Sequence, residues 1–128
     1  MILVDTDVLV DCLRGTEAAR QWFERSSKEL LGIPGVVAME LVIGCRNRTE
    51  LQHLQKFLST YSIVWPEAAE FAQAYELLAE HRLSSGLGIP DCIIGAMSLV
   101  RKTRLYTFNV KHFQVIPGID AQEPYSRQ

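Results

Sequence analysis

Residues 1–9 read MILVDTDVL, and they combine a strand signal and a helix signal in one short stretch. The apolar run 1–4 is typical of a buried β-strand, and it ends abruptly at Asp5. Apolar spacing over residues 8–13 is typical of a helix, and Gly15 is suited to end that helix. The stretch therefore predicts a buried strand that passes directly into a helix, with a carboxylate at the junction.

The same alternation of strand and helix patterns continues along the chain. Strand composition marks residues 1–4, 30–33, 62–65 and 105–107, and a short fifth strand is predicted at residues 115–116. Further helices are predicted to begin close to Thr16, Val36, Thr49, Pro66 and Asp91. Strands that alternate with helices indicate an α/β fold, with a mostly parallel central sheet of four to five strands flanked by helices.

Length and composition limit the classes of function. The 128 residues fit one domain covering residues 1–128, and the formal net charge of −2 excludes a globally basic nucleic-acid binder. Cys12, Cys45 and Cys92 are an odd number without a C-x-x-C pair, which predicts buried free thiols in a reducing cytoplasm. No apolar stretch approaches the roughly 18 residues of a membrane span, so no membrane association is expected.

Three isolated carboxylates lie in apolar settings. Asp5 ends the first strand, Glu40 lies inside an apolar helical segment, and Asp91 opens another. Burying an unpaired carboxylate costs several kcal/mol, so three of them predict convergence on one compensating group, of which a divalent cation is the natural candidate. In parallel sheets ligands bind beyond the carboxyl ends of the strands, where Asp5 lies and where the loop with Asn109 is expected.

Each of these residues also has an ordinary structural explanation. Asp5 and Asp91 can cap or complement the N-terminus of a helix, and Glu40 can lie on a partly solvated helix face. Asn109 follows a predicted strand, where Asn is common in turns. The metal hypothesis therefore rests on the combination of the four positions.

Four motifs, in order along the chain, resemble those of the PIN-domain nucleases. They are DTDVL at residues 5–9, VAMEL at 37–41, IPDCIIGA at 89–96 and TFNVKHF at 107–113. The nearest group is the VapC-type toxins of prokaryotic toxin–antitoxin pairs. The resemblance extends over nearly the whole chain, and the ordered set is more specific than any one motif.

The resemblance implies a site and its metal. In that family an Asp after the first strand, a Glu within a helix and an Asp opening a later helix bind Mg²⁺ or Mn²⁺; the matching residues are Asp5, Glu40 and Asp91. A fourth position, often Asp, is Asn109 here, and a neutral amide oxygen holds a cation less well than a carboxylate does. Hydroxyl positions that support the site in relatives match Thr6 and Thr107.

The resemblance also implies a metal-dependent endoribonuclease, a small antitoxin protein as partner, and a homodimer, with Trp65 as a candidate interface residue. A metal suits phosphodiester hydrolysis because it polarises phosphoryl oxygens and lowers the pKa of an attacking water. The basic residues that are candidates to contact RNA are Arg46, Arg48, Arg101, Lys102, Arg104 and Lys111 with His112. Charged residues are also ordinary solvated surface, and Arg101 and Lys102 suit a helix C-terminus.

Two other interpretations remain open from the sequence. A phosphohydrolase of the haloacid-dehalogenase type begins with a strand and D-x-D-x-[TV], which would make Asp5 a nucleophile and Asp7 a general acid. Enzymes of that class share a second pair of acids late in the sequence. This chain has only Asp91 after an apolar segment there. A PIN fold that serves only as a binding module usually loses its acids, whereas three of the four positions are acidic here.

Overall fold

Five strands form one all-parallel sheet in the computed structural model, which describes residues 1–28 and 30–127. The strands are β1 Ile2–Val4, β2 Leu31–Pro34, β3 Ser62–Val64, β4 Leu105–Tyr106 and β5 Ala121–Gln122. Their order across the sheet is β3-β2-β1-β4-β5, with β1 between β2 and β4. The predicted α/β fold with a parallel central sheet is confirmed.

Helices connect the strands, as parallel pairing requires. They are α1 Thr6–Leu13, α2 Glu17–Arg25, α3 Gly35–Ile43, α4 Arg48–Leu58, α5 Ala68–Ser85, α6 Ile89–Arg101 and α7 Val110–Phe113. The chain moves outward from β1 to β3 and then returns through α5 and α6 to β4 on the other side of β1. The strand order therefore reverses beside β1, and the crevice that such a reversal creates lies at the end of β1 that carries Asp5.

The core is built largely from β1, α1 and α6. Leu3 and Val4 of β1 are fully buried, and so are Val8 and Leu9 of α1 on the other side of the acidic junction. Every residue of α6 from 92 to 98 is buried. None of the helices in the described part of the chain has the length and apolar character needed to span a bilayer.

The predicted fifth strand at residues 115–116 is wrong. Residues 114–117 form a turn after α7, and Ile116 is buried there, with its Cδ1 packed against the open face of Gly95 in α6. The apolar signal came from this core contact. The actual fifth strand is Ala121–Gln122, which pairs with β4.

Several predicted helix starts shift by a few residues because other side chains cap the helices. Asn47, rather than Thr49, caps α4, since its Oδ1 accepts a hydrogen bond from the backbone N of Glu50 at 2.9 Å. Helix α6 begins at Ile89, which places Asp91 inside its first turn. The three cysteines are free, although only Cys92 is buried.

Candidate functional site

Asp5 joins the first strand, the first helix and the end of β4. It is the N-cap of α1, and its Oδ1 accepts a hydrogen bond from the backbone N of Thr6 at 2.8 Å. Its Oδ2 accepts a hydrogen bond from Thr107 Oγ1, also at 2.8 Å. The capping role and the site role therefore coexist, because the cap fixes the carboxylate at the carboxyl end of the central strand.

Glu40 reaches this junction from α3. The Oγ1 of Thr6 donates a hydrogen bond to Glu40 Oε1 at 3.0 Å, and helices α1 and α3 pack together. Thr6 thus links Asp5, through its backbone, to Glu40, through its side chain. The side-chain hydroxyls of Thr6 and Thr107, both singled out in the sequence, each donate a hydrogen bond to one of the three acids.

Asp91 approaches from the first turn of α6. Its Oδ2 accepts a hydrogen bond from the backbone N of Gly88 at 3.3 Å and lies 3.0 Å from His112 Nε2 of α7. The charge of Asp91 also raises the pKa of Asp5, so the two carboxylates interact across the crevice. The contact with His112 orients Asp91, in the way that neighbouring hydrogen bonds orient metal ligands.

The pKa of Asp5 shows that negative charge at the junction lacks compensation. Burial, together with the charges of Asp7 and Asp91, raises the pKa of Asp5 from 3.8 to about 6, against the hydrogen bonds from Thr107 and Thr6. Burial also raises the pKa of Asp7, opposed by a hydrogen bond from Phe108 and by the charge of Arg127. A bound cation would relieve this repulsion.

The residues present suit a hard divalent cation. The Oδ1 of Asp7 is buried and has no hydrogen-bond partner in the described structure. The acidic side chains at the junction offer carboxylate oxygens, which are the ligands that hard cations prefer. Over residues 1–28 and 30–127, no three His, Cys, Asp or Glu side chains lie close enough together to hold one ion. Mg²⁺ commonly binds one or two carboxylates and retains several waters, so direct coordination by three acids is not required.

Asn109 lies just beyond β4, at the start of α7. Its side chain is exposed, and its backbone N donates a hydrogen bond to Thr107 Oγ1 at 3.0 Å. Asp7 fixes the preceding residue, because Asp7 Oδ2 accepts a hydrogen bond from the backbone N of Phe108 at 3.0 Å. The role of Asn109 as a fourth ligand stays a prediction.

Residues 123–127 form a clasp on α1 that the sequence did not reveal. Asp11 is almost completely buried and accepts hydrogen bonds from Tyr125 Oη at 2.8 Å and from Arg127 Nε and Nη2 at 3.1 and 3.0 Å. Burial alone would raise the pKa of Asp11, but these hydrogen bonds hold it below its ordinary value. The Arg127 guanidinium also lies 3.8 Å from the ring centre of Phe108. The clasp therefore supports the loop that leads to Asn109.

The six basic residues predicted to contact a ligand lie in different environments. Arg46 forms an exposed ion pair with Glu50 and lines the same groove as Glu40. Lys111 is exposed on α7, next in sequence to the histidine that contacts Asp91. These two residues are carried by the segments that border the acids.

Arg101 has a structural partner instead. Its Nε lies 2.6 Å from Glu70 Oε2, its Nη2 donates a hydrogen bond to the carbonyl of Trp65 at 3.0 Å, and the Glu70 side chain is 3% exposed. A role in ligand contact therefore competes with a role in the fold. Arg48 and Lys102 are exposed, at the start of α4 and at the C-terminal cap of α6.

Arg101→Ala is expected to lower the free energy of unfolding by about 2 kcal/mol, because it leaves the Glu70 carboxylate buried without its partner. Arg104→Ala is the matched control, since Arg104 pairs with Asp120 at 3.1 Å on the exposed surface and should lose well under about 1 kcal/mol. Urea unfolding monitored by circular dichroism measures both losses. Equal losses in the two variants would contradict the structural importance assigned to the buried pair.

Comparison with known proteins adds to this geometry. A profile of the PIN domain matches residues 2–118. Ribonuclease VapC19 from Mycobacterium tuberculosis H37Rv is 36% identical over 130 residues, covering 98% of this chain and 100% of that protein. Ribonuclease VapC10 from the same strain is 34% identical over 115 residues, covering 88% of this chain and 86% of that protein.

Solved structures agree in fold. A chain of a toxin–antitoxin complex from Klebsiella pneumoniae has a TM-score of 0.79 and 28% identity, covering 99% of this chain and 100% of its own length. A chain of VapBC2 from Rickettsia felis, bound to a promoter DNA fragment, has a TM-score of 0.82 and 23% identity, covering 96% and 98%. The resemblance seen in the four motifs is confirmed. The chain belongs to the PIN-domain family, in its VapC group.

Proposed function

We propose that this protein is a metal-dependent endoribonuclease that hydrolyses RNA phosphodiester bonds, and that it is the toxin of a toxin–antitoxin pair. Family membership and relatives named as ribonucleases support the reaction class. The observation that carries the assignment is the uncompensated charge at Asp5, whose pKa burial and two neighbouring carboxylates raise to about 6. A bound cation would compensate this negative charge and allow an anionic phosphodiester to bind beside it. Without a cation, the carboxylates would repel such a substrate.

Asp5, Glu40 and Asp91 are the residues proposed to hold Mg²⁺ or Mn²⁺, with Asn109 assisting. Such an ion polarises phosphoryl oxygens and lowers the pKa of an attacking water when it is bound. Thr107 and Thr6 are supporting residues, since each fixes one acid by a hydrogen bond. Holding the carboxylates in place before substrate arrives lowers the reorganisation that catalysis requires.

Family membership argues against a phosphohydrolase of the haloacid-dehalogenase type. Asp7 would be the general acid in that class, but Asp7 Oδ2 accepts hydrogen bonds from the backbone N of Phe108 and, at 3.5 Å, from Thr107 Oγ1. These contacts give Asp7 a structural role at the loop. A catalytically silent PIN module is the remaining alternative, and measurement of cleavage separates it from an enzyme.

The proposed partners are an RNA substrate, a small antitoxin protein and a second copy of the chain. The Klebsiella relative is described as part of a toxin–antitoxin complex, which supports the antitoxin by analogy. Trp65 is 59% exposed, in keeping with an interface residue. We also infer a cytoplasmic location. We further infer one domain over residues 1–128, because β5 lies beyond the matched residues 2–118 and still pairs with β4.

The purified protein should cleave cellular RNA in the presence of Mg²⁺ or Mn²⁺ and stop when EDTA is added. Sequencing the 5′ ends of the fragments would show whether cuts are internal, as an endoribonuclease requires. A DNA of the same sequence serves as the substrate control. Cleavage that is absent with both metals, from protein shown to be folded and free of antitoxin, would support the silent module instead.

Asn109→Asp is expected to tighten Mn²⁺ binding by roughly tenfold, because a carboxylate is the better ligand for a hard cation. Asn109→Ala should weaken cleavage less than loss of Asp5, Glu40 or Asp91 does, since no charge is removed. Calorimetric Mn²⁺ titration and RNA cleavage assays measure both effects. Unchanged Mn²⁺ affinity in Asn109→Asp would exclude Asn109 from the metal site.

A further inference from the structure

An open groove of about 580 Å³ lies between α1, α3 and the start of α4. Ligand pockets typically have volumes of about 300–1,000 Å³, so it is large enough for a small ligand group. Six of its twelve lining residues are charged or polar. The other six are apolar or small, so the groove offers both kinds of surface to a ligand.

The groove begins at the acidic site. Thr6 and Glu40 line one end of it, and these two residues are joined by the 3.0 Å hydrogen bond. The backbone of Thr6 is in turn bonded to Asp5. A ligand group in this groove would therefore be adjacent to a phosphate bound at the carboxylates.

The walls combine apolar surface with fixed polar groups. Leu13 is 45% exposed and offers an apolar face, and the buried Leu54 also lines the groove. Glu50 holds Arg46 at two points, since Glu50 Oε1 accepts from the Arg46 backbone N at 2.8 Å and Glu50 Oε2 accepts from its Nη2 at 2.7 Å. The guanidinium and the carboxylate thus stand side by side, as donor and acceptor.

These features match one unstacked nucleobase and its phosphate. Sequence-specific RNA recognition uses splayed-out bases that pack on side chains and form hydrogen bonds along their edges. Leu13 supplies the packing surface, Arg46 and Glu50 supply edge contacts, and Arg14 adds a positive charge to the lining. Arg14 and Arg46 are the cationic groups of this lining, and either can pair with a phosphate of the bound strand.

We propose that this groove binds the nucleobase next to the scissile phosphate in single-stranded RNA and sets the base preference of cleavage at that position. The inference rests on the proposed ribonuclease function. It assigns a specificity role to Leu13, Arg46 and Glu50, residues that touch the substrate without taking part in the bond cleavage.

Cleavage of short single-stranded RNAs with randomised central positions, followed by sequencing of the ends, tests the proposal. Leu13→Ala and Arg46→Ala are expected to reduce the wild-type base preference about tenfold at one position adjacent to the cut and to leave the other positions unchanged. Leu83→Ala and Arg25→Ala are matched controls, because both residues are exposed and lie outside the groove. Circular dichroism checks that all four variants are folded.

An identical preference profile in the wild-type protein and both groove variants would overturn the proposal. So would an unchanged profile together with loss of binding to the co-expressed antitoxin, which would assign the groove to the protein partner. If the wild-type protein cuts no RNA, the ribonuclease function fails first, and selection of bound RNAs from the same pool then tests the groove alone. Equal base selection by the wild-type protein and Leu13→Ala in that binding assay would also overturn the proposal.

Discussion

Asp5→Asn, Glu40→Gln and Asp91→Asn should each lower RNA cleavage by roughly a thousandfold or more. Each change removes one carboxylate from the proposed metal site, and losing several kcal/mol of transition-state stabilisation corresponds to a factor of this size. The isosteric amides keep the shape of the side chains, and the amide oxygen introduced by Asp5→Asn can still accept the hydrogen bond from the backbone N of Thr6. The proteins should therefore remain folded.

Single-turnover cleavage of a defined RNA in Mg²⁺, with EDTA controls, measures the loss. Asp120→Asn is the matched control, since Asp120 is an exposed acid paired with Arg104. If Glu40→Gln cleaves like the wild-type protein in Mg²⁺, Glu40 is only an acid on a helix face and the metal-site assignment is wrong.

Expression of the wild-type protein should also arrest growth of a host cell, and Asp5→Asn should relieve the arrest.

Without metal, the wild-type protein should lose stability relative to Asp5→Asn as the pH rises from about 4 to about 6. The pKa of Asp5 is 3.8 when unfolded and about 6 when folded, so the folded state binds the proton more tightly. Stability from Asp5 is therefore greatest at low pH and falls as the carboxyl ionises in the fold. At pH 7 the free energies of unfolding of the two proteins should differ by about 3 kcal/mol, and Asp5→Asn should be the more stable protein.

Urea unfolding in EDTA at several pH values between 4 and 7 measures the difference. Comparing the two proteins cancels the contributions of groups that do not interact with Asp5, including Asp11, whose pKa shift has the opposite sign. Adding Mn²⁺ should then stabilise the wild-type protein more than the variant, because a ligand that binds the folded state raises its stability. If the difference in free energy of unfolding between the two proteins does not change with pH, the pKa of Asp5 is not raised in the metal-free fold.

Local signals were enough to predict the sheet's central strand and the acid at its end. The apolar run before Asp5 and the helical spacing after it occupy adjacent residues, and the structure has β1 and α1 there. The fifth strand could not be found in this way, because Ala121–Gln122 carries no apolar pattern and is a strand only through pairing with β4. The apolar pair at residues 115–116 was misleading, since Ile116 fills the core from a turn.

The site shows the same division between local and distant information. The acids stood out because their sequence neighbours are apolar, and Thr6 and Thr107 followed from the motifs. The contact between His112 and Asp91 depends on where α7 packs, which no local pattern specifies. Asp11 did leave a trace, because it lies four residues after Asp7 and both acids interrupt an apolar helix.

The clasp and the carboxylate junction have a consequence for the order of folding. Asp11 and Arg127 are 116 positions apart, and Asp5 and Thr107 are 102 apart. Closing loops of that length costs chain entropy that contacts between near neighbours avoid, so contacts of this kind form after the helices and the β1–β2 pair. In a partly folded chain the acidic side chains would not yet lie next to one another. Cleavage is therefore expected only from the completely folded state.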